Sequence, residues 1–215
     1  MQLIYGTGNQ AKISYMRRNL QGLPIEIVGL KEAAKELGME LPEIEESGTT
    51  PMENARLKAE GYYKLLGRPV FSCDSGLYLW NHLTGEMLPK EEQPGIHVRG
   101  RGEERLTDDE LLKHFISLVK KYGAVRARYK NAICLIIDQD TRSESEGEEL
   151  WGEPFLFTET PHTKRIEGFP LDSISVEIES GRYFYDMEDE KQDVVAADRG
   201  FKAFFSEAVN MLNIG

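Results

Sequence analysis

The chain has very little cysteine: Cys73 and Cys134, far apart in sequence, are the only two. That excludes a disulfide framework and a four-thiolate zinc site, and a reducing cytoplasm is the expected setting. No apolar run approaches the roughly 20 residues of a membrane-spanning helix. The opening stretch MQLIYGTGN has no basic segment ahead of an apolar one, so no secretory signal is expected. Basic residues are in deficit, with 26 Lys and Arg against 37 Asp and Glu and a formal net charge of −11. That excludes a protein that coats nucleic acid, whose affinity is built from cations on phosphates. A small phosphorylated ligand stays admissible, because its pocket needs only a few local cations, helix N-termini or a bound metal. Histidine is scarce too, and His82, His97, His114 and His162 show no metal-ligand spacing. There is no internal repeat, no low-complexity segment and no evident linker, so residues 1–215 read as a single domain.

The segments that are present alternate early and pair later. QLIY (2–5) and IEIV (25–28) are short apolar strands, with a helix between them over about 10–20 and a short one at KEAAKEL. Thr50, Pro51 and Glu53 form a capping box with proline at the first helical position, opening a helix to Leu66 that Gly67 and Pro69 end. PVFS (69–72) is a strand that leads into Asp74, with a sharp turn expected at Ser75-Gly76 before LYLW continues extended. Residues 81–106 form a long loop, and Thr107 with Glu110 caps a helix. VRARYKNAICLIID (125–138) is a long strand, SESEGEE a hairpin tip, LWGEPFLFTE another strand, GFPLDSIS a loop, and the chain closes on an amphipathic helix. The fold class is α/β with a mixed sheet flanked by helices.

Three stretches carry chemistry. YGTGNQAK sets a Gly-rich turn between a strand and a helix, where backbone N–H groups can hold phosphate and Lys12 adds a charge. It is neither G-x-x-x-x-G-K-[ST] nor G-x-G-x-x-G, and a plain turn with a helix cap explains it equally well. Glu45 and Glu46 precede the helix cap in an irregular segment, where a solvated acidic loop is the bland alternative. Asp74 directly follows an apolar strand, where it can hold a hard cation or bond its own backbone in an Asx-turn. Together they meet the needs of metal-assisted phosphoanhydride hydrolysis: a phosphate cradle, carboxylates for Mg²⁺ and a carboxylate oxygen to orient water.

The order of these motifs resembles the inosine triphosphate pyrophosphatases, which remove deaminated purine triphosphates. The matching residues are Thr7-Gly8-Asn9 with Lys12, Glu46-Ser47-Gly48-Thr49-Thr50 through Glu53-Asn54-Ala55 to Lys58-Ala59, Asp74-Ser75-Gly76-Leu77, Pro94-Gly95 and Asp198-Arg199-Gly200. The resemblance is close over about residues 1–100 and looser afterwards. It implies an elongated two-lobed fold with a central nucleotide cleft, a homodimer and a cytoplasmic Mg²⁺-dependent enzyme that converts a nucleoside triphosphate to monophosphate and pyrophosphate. The implied partner is that small-molecule nucleotide, with neither nucleic acid nor membrane. Glu46 and Asp74 would be metal ligands, with Asp74 also able to activate water and Lys12 the second catalytic group. Thr7, Gly8, Asn9, Lys12 and Lys58 would hold the triphosphate, and Ser75 would touch phosphate. Phe169, Asp172, Lys191, Asp198 and Arg199 would lie at the base.

Departures from the pattern cluster where that family meets the base. Cys73 replaces the first acid of D-D-S-G and is expected to be a buried small side chain. Tyr15 stands where the family has Glu, Pro170-Leu171 where it has Gly-Tyr, and Asp198 where it has His. An ionised Asp only accepts hydrogen bonds, so recognition of a 6-oxo purine should weaken. His97 and Arg99 fall where the family has a loop near the site, and Trp80 and Trp151 read as core or dimer contacts. Two other functions stay open: a nucleotide-binding sensor or partner protein without turnover, and a pyrophosphatase with a different nucleotide substrate.

Overall fold

The computed structural model of the protein describes residues 1–100, 105–187 and 196–213. In chain order the first elements are β1 (Gln2–Tyr5), α1 (Gln10–Asn19), β2 (Glu26–Gly29), α2 (Leu30–Leu37), α3 (Pro51–Leu66) and β3 (Val70–Asn81). They are followed by α4 (Asp108–Tyr122), β4 (Val125–Ile136), β5 (Arg142–Ser145), β6 (Phe155–Phe157), β7 (Ser175–Val176) and α5 (Ala196–Asn213). The strands mix parallel and antiparallel pairing, as the expected mixed sheet requires. No helix among the described residues is long and apolar enough to cross a membrane.

The chain divides into two compact units that are interleaved in sequence, and β3 and β4 each contribute to both. This interleaving is why no linker is visible in the sequence. The first unit takes residues 1–75, 130–151 and α5. In it β1 pairs in parallel with β2 and with the start of β3, while β5 pairs antiparallel with the end of β4. Its main core joins Leu3, Met16, Phe71, Ile133, Leu135, Phe201 and Phe205, with the Phe71 ring stacked on Tyr5 and meeting Phe205 edge-on. Burial of these large side chains is the main term holding the unit together.

The second unit takes residues 76–129 and 152–187. There β4 pairs antiparallel with β6, and β6 with β7. The apolar face of α4, through Leu111, Phe115 and Leu118, packs on Leu77, Leu79, Val125 and Phe157.

Several expectations require correction. Asp74, Ser75 and Gly76 lie inside the continuous strand β3, with no turn there. Gly76 serves a close approach instead: Leu77 and Gly95 exchange backbone hydrogen bonds of 2.9 and 3.0 Å, and a Cβ on Gly76 would come within 3.2 Å of the Gly95 carbonyl carbon. The hairpin tip is residues 137–141, not SESEGEE. Asp138 Oδ1 accepts from the Asp140 and Thr141 amides, closing the turn that pairs β5 with β4. The strand expected over 150–159 shrinks to β6, and GFPLDSIS contains a short 3-10 helix, Pro170–Ile174.

Candidate active site

The phosphate-cradle stretch starts where β1 ends. The Gly6 amide donates to Phe71 O at 2.8 Å, and a Cβ on Gly6 would press within 3.2 Å of the Tyr62 ring, so glycine lets the chain leave the sheet here. Asn9 is the N-cap of α1: its Oδ1 accepts from the amides of Ala11 at 2.9 Å and Lys12 at 3.2 Å. Thr7 Oγ1 accepts from the Asn9 amide at 3.2 Å. Both side chains therefore shape the turn and the helix start, as the plainer explanation of this stretch requires. The turn also borders a cavity of about 700 Å³, lined by Thr7, Gly8, Asn9, Glu46 and Lys58 with an apolar wall that includes Leu30, Ile44 and Tyr62.

Helix α3 organises the carboxylates. Thr50 caps it by accepting from the Glu53 amide at 3.2 Å, and Pro51 opens it. The strongest partners of Glu53 lie beyond the Thr50 amide of a capping box. Its carboxylate takes the Thr49 amide at 2.6 Å and the Thr49 hydroxyl at 2.9 Å, one residue further back. Asn54 follows, buried to 2 % exposure and bonded at both ends of its amide. Its Oδ1 accepts from the Gly48 amide at 2.9 Å and its Nδ2 donates to Asp74 Oδ2 at 3.1 Å. One turn on, Lys58 Nζ lies 3.0 Å from Glu46 Oε2 and 3.4 Å from Asp74 Oδ1. The i, i+4 spacing of Asn54 and Lys58 puts both on one helix face. That face draws the turn carrying Glu46 and the strand carrying Asp74 to one point.

Sequence reasoning did not single out Asn54 as a site residue. The signal it left is the i, i+4 spacing of Asn54 and Lys58, two polar side chains beside the apolar stripe of Met52, Ala55 and Ala59. Asn131 was missed as well. It accepts from Ser75 Oγ at 2.7 Å and donates to Leu150 O at 2.6 Å, fixing the Ser75 hydroxyl.

The donor set suits a hard cation that completes its shell elsewhere. Glu46 and Asp74 supply carboxylate oxygens, and Mg²⁺ commonly takes one or two carboxylates together with substrate phosphates. Among the described residues no three His, Cys, Asp or Glu converge, so no all-protein cage is built.

Beside Asp74 lies a polar layer that ranges from buried Tyr5 and Cys73 to half-buried Tyr15. Tyr15 donates its hydroxyl to Asp198 on α5, and burial first, then this carboxylate, pushes the Tyr15 phenol well above its usual range. Burial likewise raises the Tyr5 phenol and pushes the Cys73 thiol up to about 12, so Cys73 is a neutral buried side chain and not a nucleophile.

The remaining expected site residues fall into separate places. Arg199 is exposed on α5 of the first unit. Phe169, 55 % exposed, and Asp172 belong to the second unit, and Lys191 lies outside the described residues. Arg99 pairs with Asp108 at 2.6 Å and donates to Gly168 O at 2.7 Å, anchoring the segment that leads to Phe169. Trp80 lies against Arg126 and Trp151 against Lys130.

The Ham1 family model matches residues 3–204 of the chain. The chain belongs to the Ham1 family. One relative, a dITP/XTP pyrophosphatase of Symbiobacterium thermophilum, is 31 % identical over 91 % of this chain and 88 % of its own length. Another so named, from an Anaeromyxobacter species, is 40 % identical, but the match spans 36 % of this chain and 32 % of that relative. A solved Ham1 protein from Coxiella burnetii shares the fold, with a TM-score of 0.69 and 19 % identity over 98 % of this chain and 99 % of that one. These relatives agree with the resemblance drawn from the motifs, and the Ham1 fold accounts for the mixed sheet and its helices.

Proposed function

We propose that this Ham1-family protein is a nucleoside triphosphate pyrophosphatase that acts on deaminated purine nucleotides such as inosine and xanthosine triphosphate, ribo- or deoxy-. The observation that carries the proposal is the meeting of Glu46 and Asp74 at one ammonium, beside a cavity bordered by the Gly6–Asn9 turn. The names of the relatives support the same reaction.

In this reaction a water oxygen attacks the α-phosphorus, the bond from that phosphorus to the β-bridging oxygen breaks, and pyrophosphate leaves. Asp74 is held by Asn54 in a strand, so its carboxylate has a fixed direction in which to orient the water and take its proton. Lys12 and Lys58 supply positive charge for the triphosphate, and the amides of the Gly6–Asn9 turn can donate to its oxygens. Mg²⁺, held by Glu46 and Asp74, would neutralise phosphate oxygens when bound. A cytoplasmic homodimer that binds neither nucleic acid nor membrane belongs to the same proposal, and the acidic net charge favours that part of it.

The test is pyrophosphate release with Mg²⁺ across inosine, xanthosine, the common purine and the pyrimidine triphosphates. Turnover highest on inosine or xanthosine triphosphate is the expected result. Turnover highest on another nucleotide replaces the substrate class. Silence across the panel with nucleotide still bound replaces the enzyme with a sensor.

A further inference from the structure

We infer that the Lys58 ammonium holds the divalent-cation position between Glu46 and Asp74 in the metal-free protein, and must leave it for substrate phosphate when a divalent cation enters. The inference rests on the proposed reading of these carboxylates as a cation site, and it assigns Lys58 a role beyond contact with the nucleotide.

Three observations carry it. First, Nζ touches both carboxylates, Glu46 Oε2 at 3.0 Å and Asp74 Oδ1 at 3.4 Å, although they come from different segments. A lone structural ion pair needs one carboxylate, whereas an ammonium spanning two does what a bridging cation does: it removes their mutual repulsion. Second, the two oxygens of Asp74 differ in their partners. Oδ2 accepts from Asn54, whose own carbonyl oxygen accepts from the Gly48 amide, while Oδ1 faces Lys58 and is the oxygen that a cation would share with it. Two positive charges at one carboxylate oxygen repel, and Lys58, on a flexible four-carbon stem, is the one that can move. Third, Lys58 lines the cavity beside the Gly6–Asn9 turn, so its head has somewhere to go. A triphosphate in that cavity would offer it new anionic partners.

Metal and nucleotide are thereby coupled through one side chain. Without nucleotide, Lys58 opposes metal binding. With nucleotide, the ammonium gains phosphate oxygens and the opposition is relieved. By linkage each ligand then tightens the other.

The experiment measures Mn²⁺ binding to the full chain without nucleotide, from the loss of the free-ion electron paramagnetic resonance signal, in wild type, Lys58→Met and Lys12→Met. Lys58→Met should bind Mn²⁺ at least about fivefold tighter than wild type, and Lys12→Met should change far less. An unchanged or weaker affinity in Lys58→Met overturns the inference, as does an equal gain in Lys12→Met, which would mark a general charge effect. A second measurement needs no variant: in wild type, the ¹³Cε resonance of Lys58 should shift as Mg²⁺ is added. A resonance that stays in place while Mg²⁺ binds also overturns it. Failure of the underlying reading looks different: wild type then neither binds Mn²⁺ nor releases pyrophosphate from any triphosphate.

Discussion

Tyr15 and Asp198, 183 positions apart, form one hydrogen-bonded pair in which the phenol is the donor and the carboxylate the acceptor. Both stand where the resembling family has other residues, Glu and His. Each satisfies the other, so changing one alone would leave a half-buried polar group unmatched. Asp198→His should raise turnover on inosine triphosphate, and adding Tyr15→Glu should raise it further, since the acceptor then faces the imidazole. Steady-state kcat/KM for inosine against adenosine triphosphate checks this; no gain in either variant refutes the assignment of Asp198 to the base.

Asp74→Asn should lower turnover by at least about 10²-fold while the protein stays folded. The new amide can still turn its oxygen to Asn54 Nδ2, so the strand and its partner remain satisfied. Pyrophosphate release and thermal melting on the same sample separate the two effects. Near-normal activity would remove Asp74 from the chemistry.

Gly48→Ala should impair the enzyme more than it harms the fold. A Cβ there would lie 2.6 Å from Asn54 Oδ1, 2.7 Å from Glu53 Cβ and 3.0 Å from the Asn54 amide nitrogen. The turn must shift, taking Glu46 with it, at a cost of about 1–3 kcal/mol. The measurement is Mg²⁺ dependence: the variant should need more Mg²⁺ for half-maximal rate.

Much of the α3 site was readable in advance and its central connection was not. Thr50, Pro51 and the glycine stop at 67 announce the helix through local chemistry, and the helix bounds follow. The dual bond of Asn54 depends on where Gly48 and Asp74 arrive from, so the sequence shows only a polar residue one turn before Lys58. Gly76 looked like a turn because its real reason, the backbone of Gly95, approaches from another part of the chain. SESEGEE looked like a hairpin tip because acid-rich segments favour solvent. The turn was set instead by Asp138, whose side chain closes it two and three residues on. Tyr15 and Asp198 each read as a departure, and only the fold makes them partners.

Glu144 carries a pH prediction. It accepts from Arg56 Nε at 3.0 Å and from Arg142 Nε at 2.5 Å. The Arg56 hydrogen bonds, aided by Arg142 and opposed by partial burial, hold its carboxyl below the usual range. A depressed folded pKa stabilises fully above the unfolded value, about 4.3, and the contribution is lost as pH falls through the folded one. Glu144→Gln should therefore cost about 1 kcal/mol at pH 7. The gap to wild type should close in more acidic solution. Urea denaturation at pH 7 and near pH 3 measures both.

The interleaving of the two units also fixes an order of events during synthesis. The Gly6–Asn9 turn, Glu46, Lys58 and Asp74 all leave the ribosome early, yet the core beneath them is closed by Phe201 and Phe205 on the last helix. At about 5–20 residues per second, the half that bears the site waits on the order of ten seconds for its final wall. Gly76–Tyr129, by contrast, emerges as one uninterrupted stretch. The nascent chain thus exposes Phe71 and its neighbours until α5 emerges, and that interval is when a chaperone has most to cover.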